Sequence, residues 1–310
     1  MSQHHDHQHH HHGHDKHGPA ALAELLDLDG EVLSDYLSEV TMWLRRQAAD
    51  LPHGRVVDLG AGTGTGTIAL AQRFDAAEVI AVDVSEQMLN RVRAKASEWG
   101  IADRVRTVQA DLANGWPTID PVTSADPADS ADSVDVVWAS NSLHEIADPD
   151  RVFADIAAAL RPGGLLAVAE MDSAPCFLPD DIGLGRPGLE ARWRRALEGA
   201  MAEDDESGGG KARTQPLLGP DWGPHLERAG FTVVAERRFA IDLRPPHQSP
   251  VGRYAQTYLR RIRPLLEHSM AAYDLLAIDA LLDSDGPEGL LNRADLRVRN
   301  TRTVWLARVC

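Results

Sequence analysis

Three aspartates and a run of alternate glycines are the residues of this 310-residue chain whose types and spacing suggest chemistry. The segment Val56-Val57-Asp58-Leu59-Gly60-Ala61-Gly62-Thr63-Gly64 carries an apolar run straight into a glycine-rich turn. Where such a turn opens a helix, the backbone can come close to a ligand and offer N–H groups to it. The dinucleotide fingerprint G-x-G-x-x-G fails, because Thr65 or, started two residues later, Thr67 stands where the last glycine is required. Asp58, ahead of the turn, suits a ligand with an ammonium group better than a pyrophosphate. Asp83 closes a second apolar run, residues 79–83, and can accept from two neighbouring hydroxyls. Asp111, in Gln109-Ala110-Asp111-Leu112, follows a third run and can accept from an amine. A single aspartate after a strand is commonly a helix cap. Three in this order, at the carboxyl ends of successive strands, mark the edge where open α/β sheets bind ligands.

Those acids need parallel strands to hold them. Residues 56–59, 79–82, 105–109, 134–139 and 165–170 read as strands, separated by helical patterns at 66–74, 85–99 and 151–160. That alternation predicts a parallel sheet. Arg161-Pro162-Gly163-Gly164 ends the last of these helices, since its proline and glycines cannot continue it. Upstream, apolar residues at helical spacing from 20 to 49 predict two helices broken at Asp29-Gly30. Beyond Asp172 the pattern loosens into helices near 189–203, 217–229 and 251–282, with strands at 231–240 and 296–309. Residues 119–133 and 203–210 read as loops. The domain reading is a disordered His-rich tail (1–18), a helical cap (19–53), a ligand-binding core (54–172), and a remainder (173–310) that supplies lid helices and the last two strands.

The glycine turn behind Asp58 resembles the first motif of class I, Rossmann-like S-adenosylmethionine-dependent methyltransferases. The likeness runs over about residues 54–172, through Val134-Asp-Val-Val-Trp-Ala-Ser-Asn-Ser-Leu-His-Glu145 and Leu160-Arg-Pro-Gly-Gly164. It implies an α/β, doubly wound, mostly parallel seven-stranded sheet with helices on both faces, the last strand antiparallel, plus a helical cap and insertions. It also implies methyl transfer from S-adenosyl-L-methionine, leaving S-adenosyl-L-homocysteine, to an O, N or C nucleophile of a small molecule. Asp58, Gly60, Gly62 and Gly64 are then cofactor contacts, Asp83 takes the ribose, and Val84 and Met88 flank the purine. Asp111 and Leu112 meet the adenine edge, and Ser140, Asn141 and Leu143 lie against the methionine part. His144, just after the fourth strand, is the candidate general base, or alternatively a hydrogen-bonded histidine of the rim. Asn141 lacks the Pro-Pro-aromatic sequence that follows it in methyltransferases of nucleic-acid bases, and two cysteines cannot supply the trio of arsenite methyltransferases. Trp193, Arg194, His225, Tyr254, Tyr258 and His268 are candidates for an acceptor pocket, or for core packing.

Composition narrows the alternatives. A net charge of -16 repels a phosphate backbone, which speaks against nucleic acid as partner. No apolar run approaches the roughly 20 residues of a membrane span, so a cytoplasmic location is expected. Cys176 and Cys310 stand alone and imply neither disulfide nor metal site. A small-molecule partner is expected, and a homo-oligomer is compatible with the sequence. Nine of the fourteen histidines fall in residues 1–18, where weak divalent-metal binding is chemically open. Two rival readings follow: an inactive cofactor-binding regulator on the same fold, or a metal-handling protein acting through the tail.

Overall fold

The computed structural model describes residues 18–52, 54–117, 119, 134–206, 220–246 and 250–309. The His-rich tail and most of the two expected loops therefore lie outside the described residues. In chain order the elements are α1 (Pro19–Val32), α2 (Ser34–Gln47), β1 (Arg55–Leu59), α3 (Thr65–Arg73), β2 (Glu78–Asp83), α4 (Glu86–Glu98) and β3 (Val105–Gln109). There follow β4 (Val134–Ser140), α5 (Pro149–Ala159), β5 (Leu160–Met171), α6 (Leu189–Glu206), α7 (Gly223–Arg228), β6 (Phe231–Leu243), α8 (Val251–Ile262), α9 (Ala272–Leu282) and β7 (Val298–Val309).

The strands form one seven-stranded sheet in the order β3-β2-β1-β4-β5-β7-β6. All neighbours are parallel except β7, which runs antiparallel between β5 and β6. The inner strands are apolar without alternation because both their faces are covered. Period two still sorts them: Val56, Val136, Trp138, Leu165 and Ala167 join the core under α1–α3, α6, α8 and α9, whereas Val57, Val137, Ala139, Leu166 and Val168 join the core under α5 and α7. The order of strands reverses between β1 and β4. In such a sheet the carboxyl ends at the reversal flank an open crevice, since the two following connections leave to opposite sides.

The expected break at Asp29-Gly30 is not there. Helix α1 runs through it to Val32, and the chain turns at Leu33. Tertiary contacts override the local signal. The Asp29 carboxylate accepts from the Tyr254 hydroxyl at 2.7 Å and from Arg302 Nη2 at 2.7 and 2.9 Å. Gly30 is small because Thr65 lies against it: an added Cβ would come within 2.3 Å of that side chain. The region expected as helices over 251–282 is two α-helices with a 3-10 turn, Arg263–Leu266, between them.

Arg302 is 5% exposed, so removing Asp29 leaves a buried guanidinium without its carboxylate. Asp29→Ala is expected to lower the unfolding free energy in chemical denaturation by about 3 kcal/mol, within the range for breaking a buried pair on one side. A change of a few tenths would show that α1 is not anchored through this contact.

Candidate functional site

The carboxyl ends of β1 and β4 are locked together by a short polar contact. Ser142 Oγ, just beyond β4, donates to the Leu59 carbonyl at 2.8 Å. An added Cβ on Gly60 would lie 2.3 Å from the Ser142 Cβ, and Gly60 has φ of +69°. Gly60 is therefore glycine on both steric and conformational grounds. Gly64, at φ +86°, starts α3 and packs on Val92, where a Cβ would meet atoms at 2.9 Å. A fourth glycine in the same alternation, Gly66, faces Asp58 and the Trp138 indole, with 3.2 and 3.3 Å available to a Cβ. The sequence pattern predicts Gly66 only as a helix start; the repeat at 60, 62, 64 and 66 is the signal for its packing role.

The turn does not hold its N–H groups open at its first three positions. Gly60 and Ala61 both donate to the Val82 carbonyl, at 2.8 and 2.9 Å. Gly62 donates to Asp83 Oδ2 at 2.8 Å, and Ser85 to Asp83 Oδ1 at 2.8 Å. Asp83 thus ties the turn after β1 to the turn after β2. Each of its oxygens keeps a second lone pair, which suits a pair of vicinal hydroxyls. Val84 beside it is 62% exposed, a bare apolar surface at the same edge. Met88 is buried under α4 instead. Asp111 caps the 3-10 turn Leu112–Asn114 through the Ala113 N–H at 2.9 Å and also accepts from Asn114 Nδ2.

Asp58 is turned inward. It is 2% exposed and accepts from the Thr67 hydroxyl at 2.6 Å and from the Thr67 backbone N–H. Burial pushes its carboxyl up to about 7, with the nearby Asp83 charge adding to the shift and the Thr67 bonds opposing it. The ammonium contact expected of Asp58 therefore has no direct counterpart at the surface in this conformation.

On the far side of the reversal, Asn141 has φ of +51° and braces the crevice wall. Its Oδ1 accepts from the Met171 N–H at 3.1 Å, its own N–H donates to Ala169, and its Nδ2 donates to the hydroxyl of Ser140. The Leu143 side chain belongs to the core, at 1% exposure, rather than to the crevice. His144 is held by a residue that the sequence pattern predicts only as strand. Glu170, at the end of β5 and 1% exposed, sits 3.0 and 3.2 Å from His144 Nδ1 with its two oxygens. The pairing of β5 with β7 sets Thr303 opposite Glu170 and Arg302 opposite Met171. Arg302 stacks on Tyr36 at 5.0 Å, and burial, opposed by that guanidinium, pushes the Tyr36 hydroxyl up to about 12.

Of the six side chains expected around an acceptor, Tyr254, Tyr258 and Arg194 lie near one another. Trp193 is core, His268 is exposed, and His225 pairs with Asp150 at 2.6 Å, where α7 meets α5. Tyr254 and Tyr258 flank Phe177 at 5.3 and 5.5 Å, Tyr254 on the side of Asp29 and Tyr258 on the side of Glu190 and Arg194. Among the described residues no group of three or more His, Cys, Asp or Glu could hold a metal ion, and no helix is long and apolar enough to cross a membrane.

Comparison with known proteins places this geometry in context. A methyltransferase-domain family matches residues 57–166. The 27-O-demethylrifamycin SV methyltransferase of Amycolatopsis mediterranei is 35% identical over 279 residues, which cover 84% of this chain and 94% of that protein. The demethylmenaquinone methyltransferase of Clavibacter sepedonicus is 34% identical, covering 68% of this chain and 79% of that protein. A trans-aconitate 2-methyltransferase of an Acidovorax species is 35% identical over 118 residues, 38% of either chain. The chain aligns with only 26 to 38% of the length of the first relatives it matches.

A carboxyl raised to about 7 in the fold, against 3.8 for the free group, stays protonated where the unfolded chain has ionised. Its share of stability is complete below about pH 4 and declines as pH rises to about 7. Wild-type protein is accordingly expected to lose up to about 4 kcal/mol of unfolding free energy relative to Asp58→Asn between pH 4 and 8. Parallel curves for the two proteins in denaturant titrations would show that Asp58 is not titrating in that window.

Proposed function

Since the chain belongs to the S-adenosylmethionine-dependent methyltransferases of the Rossmann-like class, we propose that it transfers a methyl group to an O, N or C nucleophile of a small molecule. The relatives that support this act, by their names, on a demethylated rifamycin, demethylmenaquinone and trans-aconitate. The observation that carries the reading is the joint placement of Asp83 and the His144–Glu170 pair at one sheet edge, on either side of the β1–β4 reversal.

The cofactor supplies a methyl group on a sulfonium, already electrophilic, so the protein has mainly to position and to manage a proton. Asp83 keeps lone pairs for a ribose diol while its backbone contacts hold the glycine turn in place. Val84 offers the apolar wall for a purine, and Asp111 with Leu112 offers the polar edge beside it. Gly62 leaves the face of the turn bare except for Leu26 of α1, whose Cδ1 would be 3.1 Å from an added Cβ. The Ser140–Asn141 bend forms the opposite wall. Glu170 engages His144 Nδ1 and fixes the ring, and in this reading the imidazole exchanges a proton with the acceptor. Residues 54–172 form the cofactor half in this reading; α1, α2 and the helices after Asp172 form the acceptor side. The histidines of residues 1–17 remain open to weak divalent-metal binding, and a homo-oligomer is compatible with the same chemistry.

The direct test is transfer of label from methyl-labelled S-adenosylmethionine to a small-molecule extract, which an inactive cofactor-binding regulator would not perform. Asp83→Ala is expected to weaken S-adenosylhomocysteine binding in calorimetry by about 2 kcal/mol or more, because two charge-assisted bonds go and the turn loses its anchor. Unchanged affinity would remove Asp83 from the site. His144→Ala is expected to lower turnover by about 100-fold with cofactor affinity kept, the usual share of a positioned base. Turnover close to wild type with the true acceptor would make the histidine a wall residue and leave catalysis to proximity.

A further inference from the structure

Helix α1 lies across the glycine-rich turn, buries Ala23 and Leu28, pairs Glu24 with Arg253 of α8 at 3.3 Å at the surface, and is tied to the rest of the fold at two further points of unequal kind. Its Leu26 side chain sits over Gly62, and its Gly30 packs on Thr65. At the first fastening, Asp27 accepts from Arg91 and from Lys95 of α4, each at 2.6 Å. The Lys95 ammonium also reaches the hydroxyls of Thr63 and Thr65 in the turn, at 3.3 and 3.1 Å. These charged side chains are between 26 and 40% exposed, and a surface cleft of about 390 Å³ lined by Asp27, Arg91 and Arg253 opens beside them. Two residues further on, the second fastening is Asp29 on Arg302 and Tyr254, with the Arg302 side chain 6% exposed.

The two differ in what water and salt do to them. Half-exposed ion pairs contribute little and are screened by ions. A buried pair closed by a second hydrogen bond resists both, since parting its charges leaves them desolvated. A thermal opening of α1 therefore begins at Asp27, while Asp29 stays in place. The segment that lifts first carries Leu26, the side chain that covers Gly62.

We propose that α1 is a gate over the glycine-rich turn, latched by Asp27 on Arg91 and Lys95 and pivoting on the Asp29–Arg302 pair, through which cofactor enters and leaves. The gate rests on the reading of the turn as part of the cofactor site. It sets rates rather than affinity, because Asp27 spends its oxygens on Arg91 and Lys95 of α4 and on the Thr63 hydroxyl. Lys95 links the latch to the turn itself, so that a shift of Thr63 or Thr65 is felt at Asp27.

The probe is S-adenosylhomocysteine, with its association and dissociation rates on the full chain followed by stopped flow or surface plasmon resonance. Asp27→Asn, which keeps the shape and removes the charge, is expected to raise both rates together by about 3- to 10-fold and to leave Kd within about twofold. Wild-type rates are expected to rise together between about 20 and 500 mM NaCl, and the rates of the variant to rise less, by the share that the exposed Glu24–Arg253 pair still carries. Arg91→Gln, leaving Lys95 on Asp27, should fall between the two. Rates unchanged in Asp27→Asn would overturn the gate. Dissociation faster by itself, with Kd weaker by the same factor, would also overturn it by making Asp27 a cofactor contact. Failure of wild type to bind the probe at all would instead overturn the functional reading on which the gate rests.

Discussion

The site depends on two strands ending side by side where the sheet reverses its order. At that point the turn after β1 and the bend after β4 approach so closely that Ser142 bonds to the Leu59 carbonyl and leaves no room for a side chain on Gly60. The contact fixes the width of the crevice. One wall is then the glycine turn, held by Val82 and Asp83; the other is the Ser140–Asn141 bend, held by β5 through Met171 and Ala169. Anything that alters the spacing of these walls alters what fits between them, whichever residues do the recognising.

Three aspartates on successive strand ends have come to three different uses, and solvent decides between them. Asp58 is enclosed and keeps its proton to about pH 7, bonded to Thr67. Asp83, half-buried, accepts two backbone N–H groups and keeps lone pairs toward the crevice. Asp111 is exposed and caps a 3-10 turn. The same carboxylate is thus a buried structural group, an anchored acceptor and a cap, according to how far from water the strand end carries it.

The wall around His144 depends on the strand that runs the other way. Placing β7 antiparallel between β5 and β6 sets Arg302 beside the end of β5, where Glu170 holds His144. Arg302 is matched by Asp29 from α1, so the N-terminal helices are fastened to the C-terminal strand across the whole chain. The cover over the crevice and its floor are therefore joined through buried charge on one side and through the exposed Asp27 contacts on the other.

The sequence by itself determined the first five strands and their order along the chain. Apolar runs with helical patterns between them define β1 to β4 to within one residue of their observed limits, whereas β5 starts five residues earlier than expected, at Leu160, and takes in Arg161-Pro-Gly-Gly164; the doubly wound sheet follows from the alternation. The glycine spacing and the order of Asp58, Asp83 and Asp111 at the strand ends are legible because these are local features, set by turns a few residues long. Contacts distant in sequence were decided only by the tertiary structure. Asp29-Gly30 looks like a helix break, yet it lies within α1 because Arg302 and Thr65 give those two residues other roles. Leu143 looks like a crevice residue and is core; Glu170 looks like an ordinary strand end and holds His144. Pairing between residues 26 apart or 273 apart leaves no periodicity in the chain. It arises when the sheet sets one strand beside another, and burial then fixes which charges can be tolerated there.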